Sequence, residues 1–73
     1  MISISREDKN FIKNNIVDGQ NKLEYAIRTN DFYDLFDSMD DFIIIKGMDK
    51  EDRLNDLGRE MQKIYDRIYY ELY

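Results

Sequence analysis

Five aspartates, Asp31, Asp34, Asp37, Asp40 and Asp41, fall within eleven residues, interleaved with Phe32, Tyr33, Leu35, Phe36 and Met39 and followed by Phe42. Carboxylates at this density have four chemistries open to them. They can hold a divalent cation, share a proton in acid–base catalysis, stand in for nucleic-acid phosphates, or meet a basic protein surface. A cation asks for ligands that converge. Asp37-Ser38-Met39-Asp40-Asp41 lacks the Gly and the terminal Glu of a calcium loop, and carboxylates on a rigid helix rarely converge. Acid–base catalysis needs a cleft that drives one pKa away from another, and a domain of this size seldom encloses one. His and Cys are both absent, which removes the commonest general base and the thiolate and imidazole metal ligands. No nucleophile–base pair, glycine-rich phosphate loop or serine elbow occurs. The expectation is a protein without catalytic residues, cofactor or metal.

A protein surface is the chemistry that fits best. On a helix, Asp34, Asp37 and Asp41 follow one polar face, with Asp40 beside them and Tyr33 and Ile44 along the edge. A solvated face ordinarily mixes signs, because like charges three or four residues apart repel by a few tenths of a kcal/mol, roughly. Here no Lys or Arg follows Asp31 until Lys46. Tyr33, Asp34, Asp37, Asp40, Asp41 and Ile44 are therefore the candidate partner-binding set: charge steers the encounter and the apolar groups anchor it. The competing reading is a solubilising face, with Asp31 and Asp34 serving the helix dipole and the others paired to Lys22 or Arg28. A second candidate set is Tyr69, Tyr70 and Tyr73, whose rings bury large area with few rotors and suit self-association.

Three helices are needed to carry these sets. Helix A, about residues 5–29, opens at Ser5, whose hydroxyl can cap free amides while Glu7 and Asp8 favour the positive end of the dipole. Its stripe is Ile12, Ile16, Gly19, Leu23, Ala26 and Ile27. Gly19 is read as a point of close helix contact rather than an end, and Asn10, Asn14 and Asn15 weaken the helix. Thr29-Asn30-Asp31 forms a break. Helix B, about 31–46, buries Phe32, Leu35, Phe36, Met39, Phe42 and Ile43, with Gly47 as its C-terminal cap. Helix C, about 50–72, opens on a capping box at Asp49-Lys50-Glu51-Asp52 and buries Leu54, Leu57, Met61, Ile64, Tyr65, Ile68 and Leu72 at bundle spacing. Its outer face pairs Asp56 with Arg59, Glu60 with Lys63 and Arg67 with Glu71. The expected fold is all-α, one domain: an antiparallel three-helix bundle whose outer helices reach about 35 Å and whose middle helix is shorter.

Composition bounds the function. The chain has 73 residues, a formal net charge of -5 and no Pro, with a pI near 4.5 and mean hydropathy of -0.73. Residues 1–30 carry five basic and four acidic side chains, residues 31–46 one and five, residues 47–73 five and seven. The acidity concentrates in helix B and the start of helix C. Direct binding to a phosphate backbone needs clustered cations, which disfavours direct nucleic-acid contact and a helix-turn-helix regulator. Nothing resembles a signal peptide at the start and no run approaches ~18 apolar residues, so the expectation is a cytoplasmic protein without a membrane segment. Residue usage leans on A+T-rich codons, which fits a low-G+C bacterium or its phage. The leading expectation is a non-enzymatic protein-binding module, an acidic inhibitor or antidote of phage or mobile-element type. It would occlude a basic surface of its target, with nucleic-acid mimicry as a variant. The alternative is a self-associating assembly protein, a homodimer closed by its Tyr-rich C-terminal helix.

Overall fold

The computed structural model describes residues 3–73. Met1 and Ile2, part of the segment read for a leader, lie outside them. The described chain is all-helical, with four helices in place of three: α1 (Arg6–Asn15), α2 (Gly19–Thr29), α3 (Tyr33–Lys46) and α4 (Asp56–Leu72). No helix among the described residues is long and apolar enough to cross a membrane.

The fourth helix arises because helix A is broken at Ile16-Val17-Asp18. Ile16 is extended (φ -98, ψ 129) and Asp18 is left-handed (φ 58). The cause is local. Asn14, Asn15, the β-branched pair Ile16-Val17, Asp18 and Gly19 form a run of poor helix formers, and Asn15 Nδ2 donates to the Phe11 carbonyl at 2.8 Å, a side-chain bond of the kind that competes with helical structure. Chain direction changes there, so α1 and α2 pack against each other instead of forming one rod of about 35 Å. Gly19 does mediate a close contact: a Cβ there would sit 2.6 Å from the Ile12 carbonyl oxygen.

The N-terminus of α1 follows the sequence reading, with Ser5 Oγ accepting from the Asp8 amide at 3.1 Å. The last helix does not. Residues 49–52 form a turn, not a capping box: Asp49 Oδ1 accepts from the amides of Glu51 and Arg53, and Met48 bridges to Leu54. Helix α4 starts at Asp56, with Asn55 as its cap accepting from the Gly58 amide at 2.8 Å. The Asn55 side chain also donates to the Lys46 carbonyl at 2.9 Å and its amide to the Gly47 carbonyl at 2.8 Å. One residue thus ends α3 and begins α4.

That junction explains Gly47 and Gly58. A Cβ on Gly58 would land on the Gly47 carbonyl, and one on Gly47 would sit 2.8 Å from Gly58 Cα. The two backbones touch. Gly58 takes the inward position that the spacing assigns to Leu57, and Leu57 is exposed. Packing runs α1 on α2, α2 on α3, α3 on α4, with α1 returning to α4. The core between them holds Ile12, Ile16, Leu23, Ala26, Phe32, Leu35, Met39, Phe42, Ile43, Met61, Ile64 and Ile68, with Ile4 from the segment before α1. Fully burying one such side chain stabilises the fold by roughly 1.5–3 kcal/mol.

Candidate functional site

The core residues of α3, Leu35, Met39, Phe42 and Ile43, recur at helical spacing, which fixes what the opposite side must present. Asp34, Asp37, Asp40 and Asp41 are all exposed. Tyr33, Ile44 and Ile45 share that outer side at 76%, 66% and 75% exposure. The six residues read from the sequence as a partner-binding set therefore all lie at the surface of one helix, joined by Ile45.

The four carboxylates have no ion-pair partner among the described residues. The ion pairs there join Arg53 to Asp49 and Glu51, Arg59 to Asp56, and Arg67 to Asp8. Neither cation that a solubilising reading assigns to this row forms an ion pair with it, although Lys22 of α2 lies beside Asp34 and Asp41. Lys22 Nζ donates to Ser38 Oγ at 2.7 Å, and the Arg28 guanidinium lies 5.9 Å from the centre of the Tyr25 ring. A row of four unpaired carboxylates on one helix costs a few tenths of a kcal/mol per neighbouring pair, roughly, and keeps a negative field facing outward.

The row is not uniform. Asp34 borders a shallow depression with Lys22 and Tyr25, and Asp41 borders another with Phe42, Ile45 and Lys46. Asp37 and Asp40 lie toward α4. There they line an open groove of about 560 Å³ with Tyr33, Phe36, Tyr65 and Tyr73. The groove is built by an aromatic series across the two helices. Phe36 of α3 meets Tyr65 of α4 with ring centres 4.5 Å apart, Tyr65 stacks on Tyr69 at 6.3 Å, and Tyr69 meets Tyr73 at 4.7 Å. The i, i+4 spacing of Tyr65, Tyr69 and Tyr73 on α4 brings the rings into one column.

The tyrosine set is therefore divided. Tyr69, half exposed, and Tyr73, 87% exposed, belong to this column beside the acidic helix, while Tyr70, 84% exposed, stands apart from it. Two sets treated separately in the sequence meet at one place. Burial, and after it the charge of Asp40, raises the pKa of Tyr65 above its ordinary 10.0.

Sequence reasoning missed the cross-molecule pair of Asp8 and Arg67. Asp8 is buried, and Arg67 donates to both its oxygens, Nε to Oδ2 at 3.0 Å and Nη2 to Oδ1 at 2.7 Å. Local spacing paired Arg67 with Glu71 instead, but Glu71 accepts from the Ser3 amide. The Asp56 and Arg59 pair does form, at 2.6 Å. Among the described residues, no group of three or more acidic side chains is gathered closely enough to hold a metal ion. No protein-family model matches the chain, and neither a curated protein nor a solved structure shows significant similarity to it.

Proposed function

We propose that this chain is a non-enzymatic protein-binding module that presents the outer face of α3 to a basic surface of its target. The observation that carries the reading is the row Asp34, Asp37, Asp40 and Asp41, exposed and without ion-pair partners among the described residues. Exposed Tyr33 and Ile44 flank it. Charges of one sign steer a cationic partner from a distance, and ring and aliphatic contacts hold it once docked. The mode of action is occlusion, as expected of a small inhibitor or antidote. Where the target surface binds nucleic acid, the carboxylates occupy the positions of phosphates. The double variant Asp37→Lys/Asp41→Lys tests this. The reading expects loss of partner capture with an unchanged helical circular-dichroism spectrum, and retained capture would refute it.

Self-association is the second reading, favoured by the exposure of Tyr70 and Tyr73. The apolar seam of α4 is not available to it, because Met61, Ile64 and Ile68 are buried within the molecule. What α4 still exposes is Leu57 near its start and the rings of Tyr69, Tyr70 and Tyr73 at its end. Converting Tyr69, Tyr70 and Tyr73 to Ala would then turn a dimer into a monomer by light scattering.

A further inference from the structure

The groove between the start of α3 and the end of α4 differs from the rest of the acidic face in having aromatic walls. Its carboxylates, Asp37 and Asp40, are joined there by Asp31, and its rings include Tyr33, Phe36, Tyr65 and Tyr73. No Lys or Arg lines it. The neighbouring depression beside Val17 and Ile45 carries Lys22 and Lys46, and the one near the N-terminus carries Arg67. An open trough lined by aromatic rings, whose charged groups are all carboxylates, complements a flat cation. We infer that this groove receives an arginine side chain of the protein partner, its guanidinium set against the aromatic rings that line the groove, the exposed Tyr73 ring above all, and forked to the Asp37 and Asp40 carboxylates.

Two features select arginine within the class of basic groups. The guanidinium is planar and weakly hydrated, so it stacks on an aromatic face where the compact, strongly hydrated ammonium of lysine does so less well. It has five N–H donors in a fork matched to carboxylates. A quaternary or trimethylated ammonium fits the rings but has no N–H to give to Asp37 or Asp40.

The assignment rests on the acidic face being the docking surface, and the test separates the two. Two peptides of equal length and charge, one with four arginines and one with four lysines spaced by Gly-Ser, are titrated into the labelled protein by NMR and calorimetry at low salt. The arginine peptide is expected to bind about tenfold more tightly and to shift the ring resonances of Tyr65 and Tyr73. Tyr73→Ala, at a position too exposed to threaten folding, should reduce that preference several-fold, while Tyr65→Phe keeps the ring and keeps the preference. Asp34→Asn with Asp41→Asn, outside the groove, should weaken both peptides alike and leave their ratio intact. Equal affinities, or a preference untouched by Tyr73→Ala, would overturn the arginine groove and leave the acidic face standing. Failure of both peptides to bind would overturn both.

Discussion

Asp8 is the residue whose removal from water most needs an explanation, and Arg67 supplies it. Its bidentate fork satisfies the carboxylate, and the hydrogen bond to Asp8 holds the guanidinium proton more firmly than usual. The arginine side chain is itself half exposed, so solvent moderates the energy of the pair. Arg67→Ala should cost about 1–3 kcal/mol in urea denaturation, since it strands a buried acceptor, and Arg67→Lys should recover part of it. None of this was legible locally, because the partners are 59 residues apart, whereas the Ser5 cap could be read from neighbours alone. Tyr65 yields a pH prediction. Its folded pKa lies above the unfolded value of 10.0, so the folded state binds its proton more tightly. That stability is complete below about pH 10 and is lost as pH rises through the raised value. The thermal midpoint should therefore fall more steeply as pH rises above 10 in the natural chain than in Tyr65→Phe, a comparison that differential scanning calorimetry makes directly.

At the scale of elements, the apolar periodicity specified which faces turn inward but not where the chain bends. Ile12, Ile16, Gly19, Leu23 and Ala26 are spaced for one helical stripe and all are buried, yet Ile12 belongs to α1, Gly19, Leu23 and Ala26 to α2, and Ile16 to the break between them. The period survives the break at 16–18, so a pattern of apolar positions cannot reveal it. The break is signalled instead by the weak formers Asn14 to Gly19, whose combined cost decides between one helix and two. Asp49 to Asp52 misled in the opposite way: an acidic cluster near a helix start imitates a capping box, but the pairing of Met48 with Leu54 wins and Asn55 takes the cap. Leu57 against Gly58 turned on tertiary contact, since only the approach of the α3 end to α4 demands a residue without Cβ. Gly58→Ala should accordingly destabilise by about 3 kcal/mol, toward the upper end for overpacking, although alanine is the better helix former. A chemical-denaturation midpoint equal to or above that of the natural chain would refute the Gly47–Gly58 contact.

Over the whole molecule, the -5 charge is unevenly distributed: α3 carries a row of four exposed carboxylates, while Arg53, Arg59 and Arg67 pair with acidic side chains elsewhere. The acidic face was legible because helical spacing alone gathers Asp34, Asp37, Asp40 and Asp41. Its junction with the tyrosine column was not, because it depends on how α4 lies against α3. Reversing Asp37 and Asp41 to Lys should change folding stability by no more than about 0.5 kcal/mol, as for exposed positions generally, so its effect on binding reads the interface and not the fold. The central claim, that the acidic face of α3 draws in and seats the partner, is tested most directly by capturing the partner from a cell lysate at ~50 and ~500 mM salt, with light scattering of the pure protein alongside. Salt at the higher level shortens electrostatic reach to a few ångströms, roughly, and spares apolar contacts. A partner held at low salt and released at high salt, with a monomeric pure protein, is the predicted result; no partner together with a salt-resistant oligomer would contradict it.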